Sequence, residues 1–464
     1  MASIQHSLSA SLVSASEGDE RHRHAYIPSS PSLPPAFRVR SRTRGAAPSY
    51  FSDLTAEVPF RKIATAAELT SEWLTAVFRW KGYLTPDGVV TSLTMRPICE
   101  GLGAFGDLMK ASCELQGGLP HAPTRFIAKF APQGRTPIPT WLVKRSFLSE
   151  AHFYNDFTVD GGGLSRPECY LATADQSRLA FCMLIEDLMP AVSHTRILGC
   201  DSISKLTKVM LALASLHSRW WGLERAPELC WAPNPRSDYN GLVFYAYTYA
   251  TRRGWRALAR GPFRHTYALV LAWARRLRAH HRHLYRRLFR KPLTLCHGDV
   301  HLDNIFFGEH FRGGCALVDF GNMSCAPALS DVAFFLATNV EPDARRKHEA
   351  DLLRVYYDAL VAGGVRAADY PWERCWEDYR LQLWRPFVAL LILAPSFEKE
   401  ARDGAGMFAP HPTPADERTR AMYERFNERL VTALIDHNWV DLLPTDGCCA
   451  CQCNPCRPCC LCCP

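Results

Sequence analysis

Two aspartates and an asparagine, Asp299, Asn304 and Asp319, stand within the stretch 293–336 of this 464-residue chain. Hard oxygen ligands of this kind suit Mg²⁺, which takes one or two from the protein and leaves phosphate oxygens and water to complete the set. A carboxylate not engaged by the metal can accept the proton of an attacking alcohol. The trio therefore points to metal-assisted transfer onto a hydroxyl. Short apolar runs must position it. Leu293–Cys296 precedes His297-Gly298-Asp299, Ile305-Phe306-Phe307 follows Asn304, and Ala316-Leu317-Val318 leads into Asp319-Phe320-Gly321. Such runs, bounded by Gly and polar residues, read as short buried strands whose end residues lie on loops at a sheet edge. There the three side chains can converge.

Upstream, Gly101-Leu102-Gly103-Ala104-Phe105-Gly106 separates two strand-like segments, Val89–Met95 and Leu108–Leu115. A dinucleotide fingerprint would need a helix after the last glycine and an acid about 20 residues on, and neither is present. A strand–loop–strand suits a flap over phosphates, where glycine lets backbone N–H groups approach the oxygens without a Cβ in the way. The next strand, Phe126–Phe130, carries Lys129 between apolar neighbours. A helix over Phe147–Phe157 carries Glu150, followed by Phe153 and Tyr154. A buried strand, Leu179–Ile185, runs into Glu186-Asp187-Leu188.

The wording His297-Gly298-Asp299-x-His301-x-x-Asn304, with Asp319-Phe320-Gly321 one hairpin later, resembles the aminoglycoside phosphotransferase, choline kinase and ecdysteroid-kinase-like families. These are small-molecule kinases with a protein-kinase-like fold. The resemblance is strongest from about Gly101 to Leu336. It implies an α+β, bilobal fold: an N-lobe over 62–187 with an antiparallel sheet and one key helix, and a mainly helical C-lobe over 188–442; composition leaves 1–61 and 443–464 as disordered tails. It implies ATP and Mg²⁺ as cofactors. Asp299 would be the base, Asn304 and Asp319 would hold the metal, and Lys129, fixed by Glu150, would bind the α- and β-phosphates. Gly101, Gly103 and Gly106 would cover those phosphates, the backbone of Ile185–Leu188 would meet the adenine edge, and Asp331 would brace the catalytic loop. The implied reaction moves a γ-phosphoryl group to the hydroxyl of a small molecule. Only eleven residues separate Asp319 from Asp331, and no Ala-Pro-Glu closes an activation segment, which disfavours a protein substrate. A non-catalytic nucleotide-binding scaffold is the alternative of another class. Choline-like, sugar-like, aminoglycoside-like and steroid-like acceptors all fit.

Composition sets wider bounds. The chain is 47% hydrophobic and 22% charged, as in a soluble globular protein. Its net charge of +8 argues weakly for anionic partners. The longest apolar run, Phe387–Ala394, is too short to span a bilayer, so no transmembrane segment is expected. No nucleic-acid module, Gly-x-Ser-x-Gly, His-Glu-x-x-His or Walker motif occurs. Nine of the 19 cysteines fall in the last 17 residues. The others are scattered singly, as in a reduced, cytoplasmic protein. For the Cys-rich tail, disorder leads over metal binding or acylation. The Ser-, Pro- and Arg-rich residues 1–60 read as a disordered tail, because Glu17, Asp19 and Glu20 count against a transit peptide.

Helices are expected over Ala66–Trp80, Ile203–Trp221, Arg345–Ala362 and Asp416–His437. His217, inside the second, reads as a satisfied core histidine. The basic stretch Arg275–Lys291 reads as a solvated helix face, ahead of contact with an anionic substrate, nucleic acid or a membrane.

Overall fold

The structure is a computed structural model that describes residues 58–98, 107–132, 140–157, 163–175, 180–193, 197–234 and 252–443. Gly101, Gly103 and Gly106, residues 1–57 and the Cys-rich tail lie outside the described residues. The fold is α+β, with an antiparallel sheet in the N-terminal region and a mainly helical C-terminal region.

The first region comprises α1 (Ser71–Lys81), β1 (Leu84–Ile98), β2 (Asp107–Gly118), β3 (Arg125–Phe130), α2 (Thr140–Asp156), β4 (Cys169–Asp175) and β5 (Ala180–Glu186). The five strands pair antiparallel in the order β1-β2-β3-β5-β4. β3, at the centre of the sheet, shows how its two faces divide. Phe126, Ala128 and Phe130 are fully buried and pack in one cluster with Leu74, Val77 and Phe78 of α1. Ile127 and Lys129 point to the opposite face, because successive side chains in a strand alternate. Cross-strand partners share a face. Leu108 and Met183, opposite Lys129, therefore join it there, as do Lys110 and Ile185 opposite Ile127.

Two expected elements differ in detail. The helix over Ala66–Trp80 is interrupted: a single 3-10 turn at Ala66–Glu68 precedes α1, which starts anew where the Thr70 hydroxyl accepts the Trp73 N–H. The strand-like segment Val89–Met95 extends in both directions: β1 runs from Leu84 through Pro86-Asp87-Gly88, with a register shift between Leu84 and Val89, to Ile98.

The second region contains β6 (Val192–Ser193), α3 (Ile203–Arg219), α4 (252–260), α5 (Ala268–Ala272), α6 (Ala274–Ala279) and α7 (His281–Leu288). Short strands follow: β7 (Thr294–Cys296), β8 (Ile305–Phe307), β9 (Cys315–Leu317) and β10 (Ser324–Ala326). The chain closes with α8 (Leu329–Asn339), α9 (Pro342–Ala362), α10 (Trp372–Gln382), α11 (Trp384–Asp403) and α12 (Pro414–Asp436). β7 pairs with β10, while β8 pairs with β6 and β9. The predicted α3 face is buried at Leu206, Val209, Leu213 and Leu216, whereas Ile203, in its first turn, faces out.

The basic stretch departs from a solvated face. Arg276 donates to the Leu443 carbonyl at 2.6 Å, and Arg287 donates to the Leu442 carbonyl and to Glu377. Arg290 donates to Asp378 at 2.6 Å, and Lys291 pairs with Glu224. Arg287 and Arg290 fasten α7 and the residues after it to α10, Arg276 and Arg287 tie α6 and α7 to the chain beyond α12, and Lys291 reaches back to the segment after α3. Among the described residues no helix is long and apolar enough to cross a membrane, and no cysteine forms a disulfide.

Candidate active site

Lys129 reaches from β3 toward two carboxylates. Its Nζ donates to Glu150 Oε2 of α2 at 2.7 Å and to Asp319 Oδ1 at 2.9 Å. Burial works against the lysine charge, but Asp319 and Glu150 outweigh it and hold the ammonium above its ordinary range. Burial likewise opposes the Asp319 charge, yet Lys129 keeps that carboxyl below its usual value. Glu150 is the deeper carboxylate, and there burial prevails and raises it despite the lysine. Lys129 and Glu150 are nearly inaccessible, whereas the Asp319 side chain is 36% exposed.

The turn that presents Asp319 is anchored by its neighbours. Asp319 has left-handed backbone, φ 65°, a region in which Asp is among the better tolerated side chains. Phe320 is buried, stacked on Phe153 at 4.1 Å and meeting Tyr154 edge-on at 5.6 Å. One turn of α2 thus supplies both the glutamate for Lys129 and the aromatic seat for Phe320. Gly321 lies so close to α2 that a Cβ would collide with the Ser146 hydroxyl.

The loop carrying Asp299 is held from beneath by Asp331 of α8. The backbone N–H groups of His297 and Gly298 donate to the two Asp331 oxygens at 2.7 and 3.0 Å. His217 Nε2 lies 3.3 Å from Oδ2, and its Nδ1 lies 2.8 Å from the Tyr356 hydroxyl. His217 is thus a satisfied buried histidine that also belongs to the brace. Burial resists the Asp331 charge, but these donors keep its carboxyl below the ordinary range. His217, Asp331 and Cys296 bring three ligand-type atoms within 4.8 Å. Each is already engaged by protein, Cys296 by Ser330 and the carbonyls of Ala326 and Pro327. The cluster is a brace.

His297, whose role sequence reasoning did not foresee, joins the two loops. Its Nε2 donates to the Val318 carbonyl at 3.1 Å, and its Nδ1 accepts the Asp299 N–H at 3.3 Å. That assigns a neutral Nε2–H tautomer, in keeping with burial that lowers its pKa. Val318 N–H donates in turn to the Asn304 carbonyl at 3.0 Å.

Asn304 Nδ2 donates to the Asp299 carbonyl at 3.1 Å, which fixes the amide and leaves its oxygen as the ligand end. Asp299 Oδ2 accepts from Asn322 Nδ2 at 3.2 Å, and His301 Nε2 lies 3.7 Å from Oδ1. Asn322 is a second residue that sequence reasoning missed; its only signal was its place directly after Asp319-Phe320-Gly321. Gly298, at φ +83°, passes so near that a Cβ would collide with the Asn322 carbonyl. At the connector after β5, Asp187 pairs with Lys110 of β2 at 2.8 Å, a side-chain link that sequence reasoning did not assign.

The site therefore brings Lys129, Glu150 and Asp319 into direct contact and joins them through Val318 and His297 to Asp299 and Asn304. The three glycines of the expected flap lie outside the described residues. The donor set fits Mg²⁺: a partly exposed carboxylate with one oxygen not taken by Lys129, and an amide oxygen on the adjoining loop.

A model of the ecdysteroid kinase-like family matches residues 268–367, a stretch that holds Asp299, Asn304, Asp319 and Asp331. Solved structures are similar at low identity. A Ralstonia eutropha protein with a provisional aminoglycoside phosphotransferase assignment is 12% identical, with TM-score 0.46, covering 81% of this chain and 99% of its own. Choline kinase from Cryptosporidium parvum is 12% identical, with TM-score 0.43, covering 79% of this chain and 97% of its own. Ethanolamine kinase from Plasmodium vivax is 12% identical, with TM-score 0.42, covering 79% and 87%. No curated protein matches the sequence.

Proposed function

We propose that this protein is an ATP- and Mg²⁺-dependent phosphotransferase that moves the γ-phosphoryl group to a hydroxyl of a small molecule. The observation that carries the reading is Lys129 held between Glu150 and Asp319, on loops tied to Asp299 and Asn304.

Lys129 binds the α- and β-phosphates, and Glu150 keeps it extended toward the cleft. Asn304 and Asp319 are the residues that would hold Mg²⁺. When bound, the ion neutralises charge on the β- and γ-phosphates. Asp299 orients the acceptor hydroxyl and takes its proton as the new O–P bond forms and the bond to the ADP oxygen breaks. Asn322 holds the other Asp299 oxygen and so sets the direction of the base. The transition state is loose, so positioning and charge neutralisation supply most of the acceleration. Gly101, Gly103 and Gly106 would cover the phosphates, as the resemblance implies. The short passage from Asp319 to Asp331 supports a small acceptor over a polypeptide.

The test is Mg·ATP turnover by the purified chain against a panel of choline-like, sugar, aminoglycoside and steroid alcohols. ADP release that depends on one acceptor class is the expected result and identifies the substrate. Mg²⁺-dependent ATP binding without acceptor-stimulated release would favour a scaffold. Absence of ATP binding would overturn the reading.

A further inference from the structure

Between residues 251 and 293 the chain has thirteen Lys and Arg and no Asp or Glu. The whole chain carries only +8, so everything outside this stretch is net negative. Part of the excess is engaged within the fold, through Arg276, Arg287, Arg290 and Lys291. Three cations of α4 are different. The exposed residues of this helix are Arg252, Arg253, Arg256, Ala259 and Arg260. Arg252, Arg256 and Arg260 recur at helical spacing on one face, and none has an ion pair or hydrogen bond among the described residues.

Like charges four residues apart disfavour a helix. Packing of the opposite face holds this one in place. Gly254 lies against the Leu391 backbone so closely that a Cβ would collide with the carbonyl. Trp255 packs on Phe387 at 5.4 Å and on Trp384 at 6.2 Å. Just past the Leu391 contact, Ile392 and Leu393 of α11 are 53% and 39% exposed. α4 thus carries a row of three exposed arginines with no ion pair or hydrogen bond among the described residues, and α11, on which it packs, exposes Ile392 and Leu393 one and two residues past the contact.

We propose that α4 and the adjoining edge of α11 form a docking surface for an anionic membrane. Guanidinium forks match lipid phosphate and carboxylate geometry. A cationic face with apolar side chains beside it is the pattern of a helix lying in a membrane interface. Each basic side chain near an anionic leaflet adds independently to the attraction. Nucleic acid is served less well, because α4 exposes no aromatic ring on which a base could stack.

The experiment is flotation of the full chain with vesicles of phosphatidylcholine alone or mixed with phosphatidylserine, at low and moderate salt. The expected result is binding to the mixed vesicles that weakens with salt and is nearly absent on phosphatidylcholine. Substituting Arg252→Gln, Arg256→Gln and Arg260→Gln together lowers the affinity on the order of 100-fold. The pair Ile392→Ser and Leu393→Ser lowers it several-fold. The three arginines are exposed and have no partner among the described residues, so an unchanged thermal midpoint accompanies the loss. Equal binding to both vesicle types, no binding at low salt, or full binding by the triple variant would overturn the proposal. So would salt-sensitive capture of RNA or an acidic polypeptide in preference to the anionic vesicles.

Discussion

Asp319 and Asp331 come from the same stretch of chain, and the fold treats them oppositely. Asp331 is closed off, its side chain 2% exposed. It accepts the N–H groups of His297 and Gly298 and stands beside His217. Asp319 takes one flexible cation, Lys129, and keeps part of its carboxylate at the surface. Burial opposes the charge of both, and both remain below the ordinary carboxylate range, Asp331 through His217 and Asp319 through Lys129. The perturbation is thus the same in direction, and the vacant acceptor capacity is what differs. A saturated carboxylate can only fix the loop around it. A partly exposed one, countered by a lysine that can turn to phosphate, can serve a ligand.

Substitutions should separate the two. Asp319→Asn is expected to lower turnover on the order of 10³-fold while leaving the thermal midpoint nearly unchanged, because it removes charge stabilisation in the reaction and keeps a side chain of the same shape that the left-handed backbone tolerates. Asp331→Ala should instead lower stability by about 3–5 kcal/mol, since it strands two backbone N–H groups and His217 in the interior. Urea unfolding of both variants checks this, and equal destabilisation would erase the contrast. Asn322→Ala should lower kcat about tenfold with KM for ATP unchanged, as expected for loss of a hydrogen bond to the charged base. A change in KM alone would give Asn322 to the nucleotide.

The smallest effect concerns acid. Asp331 titrates below its ordinary 3.8 in the folded chain. Its contribution to stability is therefore complete above the unfolded value and is lost as pH falls through the lower folded one. Stability measured from neutral pH downward should fall less steeply below about pH 4 in Asp331→Asn than in the unsubstituted chain. Parallel curves would mean that the brace does not depend on the ionised carboxylate.

Much of this architecture was legible because one pattern ruled each element. β3 reads as a short apolar run broken by one lysine, and α3 repeats apolar residues every three or four. What escaped the sequence depended on distant partners. β4 is buried along almost its whole length, so Cys169–Asp175 shows no alternation to read. Asn322 looks like any loop amide until Gly298 brings the Asp299 loop against it. The cations of 275–291 read as a solvated face because Glu377, Asp378 and the carbonyls of Leu442 and Leu443 arrive from much later in the chain. The break before α1 turns on the Thr70 cap, which an apolar pattern does not register.

The most direct test compares Asp299→Asn with the unsubstituted chain in Mg·ATP binding and in acceptor-dependent ADP release. The account predicts unchanged nucleotide affinity and a kcat lowered by roughly 10²–10⁴, because the base is lost and the phosphate site is not. Turnover that survives Asp299→Asn intact would contradict it.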